Sequence, residues 1–165
     1  MTPKYLLVNA VDPACALLDK VGVRSDDRAR LLMMAIAGQE SAWGARLQVG
    51  GPARSFWQFE QGGGVAGVFR VCPAQVKAVC AELFVPADVA TVYEAMAWHD
   101  VLAAAMARLL LWTDPRPLPA IGEVQPAWEY YLRNWRPGRP HPETWPGRYG
   151  TAMGLVQGAP SKEAA

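Results

Sequence analysis

A helix-length segment that is apolar on every face constrains the fold of this chain more than any other feature. The run Ser25-Asp26-Asp27 predicts a helix start, because these side chains cap free N–H groups and their charges suit the helix dipole. The segment from Leu31 to Ala37 then reads LLMMAIA. A helix that is apolar all round must be buried by other elements. We expect it to run to about Gly44, the residue just past its end.

Capping residues and prolines predict further helices on both sides of this segment. The predicted ranges are about 12–20 (starting at Asp12-Pro13), 73–84, 86–98, 101–113, 122–135 and 147–157. Residues 46–67 are too rich in glycine for a helix and predict a long structured loop or a minimal β segment. The chain is therefore expected to form a single mainly α domain over residues 1–160, followed by a disordered tail over 161–165.

Composition excludes several classes of protein. Hydrophobic residues make up 52% of the chain and charged residues 19%, which argues against disorder. The net charge of +1 gives no indication of nucleic-acid binding. No segment reaches the about 18 uninterrupted apolar residues of a membrane span, and the first residues do not form a secretory signal, so we expect a cytoplasmic location in the producing cell without membrane insertion.

The spacing of histidines, cysteines and serines indicates neither a metal site nor a serine or cysteine nucleophile. His99 and His141 are isolated, the three cysteines form no C-x-x-C pair, and no Gly-x-Ser-x-Gly motif occurs. The glycines at 62–64 are not followed by the Lys-Ser/Thr of a phosphate-binding loop. The expected site therefore contains neither a metal nor an organic cofactor.

Glu40 is the candidate catalytic residue. It stands in the stretch Gly38-Gln39-Glu40-Ser41-Ala42-Trp43-Gly44, at the C-terminal end of the all-apolar helix. Burial and the negative end of the helix dipole both disfavour a carboxylate there, so the pKa of Glu40 should be raised. A carboxylic acid that is still protonated near neutral pH can protonate the leaving oxygen of a glycosidic bond.

The order of motifs resembles the lysozyme superfamily over about residues 25–136. Glu40-Ser41 at a helix end is followed by a glycine-rich loop and then by Phe56-Trp57-Gln58-Phe59-Glu60. The pattern is most similar to goose-type lysozymes and soluble lytic transglycosylases, in which a Glu-Ser pair ends a central helix and a Gly-Leu-Met-Gln segment lines the cleft. Ser55-Phe56-Trp57-Gln58 matches that segment fully only at Gln58. Ala127-Trp128-Glu129-Tyr130 corresponds to the Ala-x-x-Tyr that begins a late helix.

The resemblance implies a role for each matching residue. Glu40 would be the general acid, and Ser41 and Gln58 would hydrogen-bond substrate or water. Tyr130, or Tyr131 as an equally reachable substitute, would orient Glu40 or the sugar. Trp43 and Trp57 could form a sugar-stacking floor, although packing in the core is the simpler interpretation of both. Likewise, the segment from Arg133 to Arg139 could bind an anionic polymer or simply pack Trp135.

Glu60 leaves two reaction outcomes open. It stands two positions after the motif Gln, where goose-type lysozymes have an acidic residue that helps to position water. If Glu60 faces the cleft, two carboxylates with room for water imply an inverting hydrolase. If it faces solvent, Glu40 alone would serve as acid and then base, as in a lytic transglycosylase.

The sequence thus predicts a muramidase-like enzyme that cleaves MurNAc–GlcNAc bonds in peptidoglycan glycan strands. The resemblance and the missing export signal together suggest a phage endolysin, acting after release, or a virion component that contacts other virion proteins. The alternative is a non-catalytic phage structural or glycan-binding protein on the same scaffold, because a fold does not guarantee an activity.

Overall fold

The computed structural model describes residues 2–158 and confirms a mainly α protein. The predicted tail over 161–165 lies outside these residues. In chain order the helices are α1 (Pro3–Leu6), a π-helical turn (Leu7–Val11), α2 (Asp12–Asp19), α3 (Asp27–Ser41), a second π-helical turn (Gln61–Val65), α4 (Ala66–Val71), α5 (Pro73–Glu82), α6 (Val89–Ala95), α7 (Asp100–Trp112), α8 (Val124–Trp135) and α9 (Trp145–Gln157).

Helix α3 is the buried central helix that its composition predicts. The Asp26 side chain caps it by accepting a hydrogen bond from the Ala29 backbone N–H at 3.1 Å. Every residue from Leu31 to Gly38 is buried, and α9 and α7 pack against α3. The helix ends at Ser41 on a left-handed Ala42 (φ 51°), so the expected end at Gly44 is wrong. The chain leaves the helix immediately after the turn that carries Glu40.

The N-terminal helical segment begins earlier than the sequence indicates. Helical backbone starts at Pro3 and passes through the first π-helical turn into α2, which begins at Asp12 as predicted, although the Asp12 side chain does not cap it. Proline lacks an N–H and its ring clashes with the carbonyl four residues before it, and a π-helical turn relieves this by widening the backbone. The Asp12 carboxylate instead accepts a hydrogen bond from Arg30 at 2.8 Å, which ties α2 to α3.

The loop after α3 contains the minimal β structure. Arg54 forms isolated antiparallel bridges with Leu47 and Phe59. The Arg54 and Phe59 backbones exchange hydrogen bonds of 2.9 and 2.8 Å. Within residues 2–158 these bridges are the extent of the β pairing. They fold the loop back on itself beside the end of α3.

The prediction of a loop as far as residue 67 is wrong beyond residue 60. The glycine-rich segment forms the second π-helical turn and then α4. Val65 and Val68 are buried, and Gly64 lies so close to the Phe59 ring that a Cβ there would be 2.7 Å from it. Packing therefore outweighs the low helix propensity of glycine.

No single helix among the described residues is long and apolar enough to cross a membrane. The bent pair Gln61–Val71 and Pro73–Glu82, which meet at 102°, passes the same test of length and composition when taken together.

Candidate active site

Glu40 lies on the last turn of α3 and is mostly buried. Burial raises the pKa of its carboxyl from 4.5 to about 6, while a hydrogen bond from Tyr131 acts in the opposite direction. The raised pKa predicted from the sequence is confirmed. A group with this pKa holds its proton in about half of the molecules at pH 6 and in about a tenth at pH 7, so it can act as a general acid at mildly acidic pH.

Tyr131 is the partner of Glu40. Its hydroxyl donates a hydrogen bond to Glu40 Oε1 at 2.6 Å across 91 residues of sequence. The Tyr131 ring is buried and stacks on Trp145, with ring centroids 5.4 Å apart and an interplanar angle of 12°. Burial and the Glu40 charge raise the pKa of Tyr131 above its ordinary value. The phenol therefore stays protonated and serves Glu40 as a fixed donor.

A cleft of about 1100 Å³ opens beside this pair. Glu40, Gln58, Glu60 and Tyr131 all line it, so four of the predicted site residues meet in one place. Their elements are distant in sequence: the end of α3, the bridged loop, and the middle of α8. A cleft of this size lies just above the usual range for small-molecule sites, about 300–1,000 Å³, which leaves room for more than one sugar ring.

The loop that carries Gln58 is held in a strained turn. Ser55 (φ 67°) and Gln58 (φ 50°) both adopt left-handed backbone conformations, which non-glycine residues rarely take without external support. The Gln58 side chain donates to the Ser55 carbonyl at 2.7 Å, and Arg46 forms a bidentate pair with Asp100 at 2.7 Å. The second contact fixes the start of the loop to the first turn of α7. Gln58 is thus held at the cleft by local hydrogen bonds.

Glu60 is the second carboxylate of the cleft. It immediately precedes the second π-helical turn but its side chain does not cap that turn. The residue is exposed and lines the cleft with Glu40. Among residues 2–158 its carboxylate has no hydrogen-bond or ion-pair partner. Glu60 both lines the cleft and is exposed to solvent, so the two arrangements considered above stay open.

Three predicted substrate-binding residues do not reach the cleft. Trp57 is completely buried and its indole N–H donates to the Met33 carbonyl at 2.8 Å, so it is a core residue. Ser41 does not line the cleft, and its hydroxyl donates to the Ala37 carbonyl within α3 at 2.9 Å. The buried Tyr130 donates to the Leu111 carbonyl at 3.0 Å, on the far side of α8 from Tyr131. Trp43 is also buried, as its simpler interpretation predicts.

Sequence reasoning missed one part of the cationic lining of the cleft, Arg70. Arg70, Arg133, Arg136 and Arg139 all line it, against the two carboxylates Glu40 and Glu60. Arg133 is paired with Asp114 at 2.7 Å. Three of these arginines belong to the 133–139 segment, whose charge was visible in the sequence, but Arg70 reaches the cleft only because α4 is a helix.

Aromatic side chains on α8 follow a helical period, and two of them, Tyr131 and Trp135, line the cleft. Trp128, Tyr131 and Trp135 recur at intervals of three and four residues, the spacing of one helix face. The Trp135 indole N–H donates to the Trp57 carbonyl at 2.9 Å, and its ring meets Phe59 edge to face at 5.8 Å. Trp135 therefore packs as predicted and also joins α8 to the loop.

Within residues 2–158 no group of three or more His, Cys, Asp or Glu side chains is arranged to hold a metal ion. The chain matches no family model, no curated protein and no solved structure.

Proposed function

We propose that the protein is a peptidoglycan-cleaving muramidase of lysozyme-like architecture, and that it hydrolyses MurNAc–GlcNAc bonds with Glu40 as the general acid. The observation that carries the proposal is that Glu40, with its pKa raised to about 6, shares one cleft with Gln58 and Glu60. Cleavage of a glycosidic bond by inversion needs one protonated and one ionised carboxyl group on a common site.

The chemistry can be assigned to named groups. Protonated Glu40 gives its proton to the glycosidic oxygen as the bond to the anomeric carbon breaks. Glu60 accepts a proton from the water that attacks the same carbon from the opposite face, and the products are two sugars with the water added across the former bond. Tyr131 donates to Glu40 and stabilises the carboxylate that forms when the proton has left. We assign to Gln58 the role of a hydrogen-bond donor or acceptor for the sugar or the water.

The charge of the cleft fits this substrate. Peptidoglycan strands carry stem peptides with free carboxylates, and guanidinium groups bind carboxylates with paired hydrogen bonds. The four cleft arginines can bind these peptides while the glycan lies against Glu40. The two cleft carboxylates thus act in bond cleavage, and the cleft arginines bind the substrate.

The test is turbidity clearing of purified cell walls from several wall chemotypes, with E40Q and E60Q beside the wild type. We expect both variants to lose at least about 100-fold in clearing rate, the usual contribution of a general acid or base, and to bind walls as before. E129Q provides the control, because Glu129 is an exposed carboxylate that lies outside the cleft on α8.

Mass spectrometry of the released fragments identifies the reaction. Reducing ends support hydrolysis, whereas anhydro ends together with an active E60Q would show lytic transglycosylation by Glu40 alone. Wild-type protein that binds walls without clearing any of them would instead identify a non-catalytic glycan-binding protein. Failure to bind or clear any wall would refute the proposal altogether.

A further inference from the structure

A second pocket, of about 680 Å³, shares no lining residue with the cleft. Tyr130 lines this pocket, whereas its neighbour Tyr131 lines the cleft. Four arginines and two aspartates line it together with an apolar wall that includes Trp112 and Leu118. The reaction proposed above uses none of these residues, so the pocket needs an explanation of its own.

Arg108 forms the floor of the second pocket. It is only 4% exposed, and burial lowers the pKa of its guanidinium below the ordinary value. Its Nε donates to the Ser25 hydroxyl at 3.0 Å and its Nη2 to the Arg24 carbonyl at 2.6 Å, and it lies over the Trp112 ring. No carboxylate among residues 2–158 forms an ion pair with it. Its hydrogen bonds go to neutral acceptors, and Asp26 and Asp19 act on its charge only from beyond ion-pair distance, so its positive charge is incompletely compensated.

Both aspartates of the pocket are already neutralised by other groups. Asp26 caps α3 and is paired with Arg28 at 2.6 Å. Asp114 accepts hydrogen bonds from Arg133 at 2.7 Å and from Asn134 at 3.1 Å. The two aspartates of the pocket are therefore paired with Arg28 and Arg133 and not with the other arginines of the lining.

Two exposed arginines add to the charge of Arg108. Arg24 and Arg116 line the pocket, and neither is within ion-pair distance of a carboxylate in the described part of the chain. Three guanidinium groups without carboxylate partners thus surround one opening. Such an arrangement matches a dianion with several acceptor oxygens better than a single carboxylate.

We propose that the second pocket binds a phosphate group, held by Arg24, Arg108 and Arg116. The partly exposed Trp112, 46% accessible, and Leu118 provide an apolar surface for the carbon skeleton of a small phosphate ester. The site is independent of the glycan cleft, so its failure and the failure of the proposed function are separate results.

The experiment is a titration of the full chain, at constant ionic strength, with inorganic phosphate, with glycerol 3-phosphate and with uncharged glycerol. Binding is followed by calorimetry and by the indole N–H resonance of Trp112, which the variant W112F identifies. We expect a saturable shift of this resonance with both phosphates and none with glycerol. Tighter binding of glycerol 3-phosphate assigns the site to esters, whereas equal or weaker binding assigns it to the free ion.

Single-residue variants test which side chains contribute to phosphate binding. R24A and R116A each remove one exposed guanidinium and should weaken binding by about tenfold or more, as the loss of one charge-assisted hydrogen bond does. K77A, which removes an exposed cation far from the pocket lining, should leave the affinity unchanged. No saturable shift, an equal loss in K77A, or a shift of the Trp135 resonance in the cleft instead of Trp112 would each overturn the proposal.

Discussion

The raised pKa of Glu40 makes a prediction about stability that does not depend on any catalytic role. The pKa is 4.5 in the unfolded chain and about 6 in the folded protein, a difference worth about 2 kcal/mol at about 1.4 kcal/mol per unit. Between these pH values the folded state binds more protons than the unfolded state, so stability falls as pH rises. The loss develops from about pH 4.5 to 6 and is complete above that window.

The variant E40Q isolates this effect. Its amide oxygen can still accept the Tyr131 hydrogen bond, but it carries no charge at any pH. At pH 8 we expect E40Q to be more stable to unfolding than the wild type by about 2 kcal/mol. At pH 4, where the carboxyl is protonated in both states, the two proteins should agree within about 0.5 kcal/mol, as expected for a substitution that changes no contact.

Urea denaturation at pH 4, 5, 6, 7 and 8, followed by tryptophan fluorescence, measures these differences. E129Q, which alters an exposed carboxylate on α8, is the control and should keep the pH dependence of the wild type. A constant difference between E40Q and the wild type at every pH would show that Glu40 is not desolvated in solution. That result would refute the physical basis of the general-acid assignment.

Other predictions concern packing and pH. W57A should destabilise the protein by about 3–5 kcal/mol, because it leaves a cavity at a fully buried site; calorimetric unfolding measures this loss. A W57A variant of unchanged stability with weakened wall binding would show that Trp57 contacts the substrate instead. In the glycine-rich helical segment, G64A should lower the free energy of unfolding by about 1–3 kcal/mol, because its Cβ would lie 2.7 Å from the buried Phe59 ring. A Cβ at Gly62 meets no atom within 4 Å, so G62A should raise the free energy of unfolding by up to about 1 kcal/mol through helix propensity. Equal effects of the two alanines would contradict the helical packing. Finally, wall-clearing activity should fall as the pH rises through about 6, because Glu40 ionises. The Tyr131 hydrogen bond lowers the pKa of Glu40, so Y131F should raise this pKa and move the fall in activity to higher pH. An unchanged pH profile in Y131F would mean that another group controls the activity.

Local chemistry explains most of the helices that could be predicted. Asp26 caps α3 and Asp88 caps α6, each through a side-chain oxygen that accepts a backbone N–H three residues later. Pro73 likewise begins α5. In these cases the stabilising contact lies within one helical turn, so the sequence contains both partners.

The errors share one physical origin. Glycines 62–64 predict a loop by propensity, but Gly64 packs against Phe59 and the segment is helical. Pro13 suggests the first turn of a helical segment, but helical backbone begins at Pro3 and a π-helical turn joins it to α2. In both cases the helical conformation depends on a packing contact or on a backbone geometry that the helix propensities of the residues themselves do not contain.

The sequence by itself determined the mainly α class, the burial of α3, and the position of Glu40 at its end, because composition and periodicity fix which residues must leave water. Only the tertiary structure decided that Tyr131, and not Tyr130, donates to Glu40, and that Trp57 belongs to the core while Arg70 reaches the cleft. Adjacent residues on a helix face about 100° apart, so the rotation angle of α8 about its own axis selects between them. That angle depends on contacts between segments that are far apart in the chain.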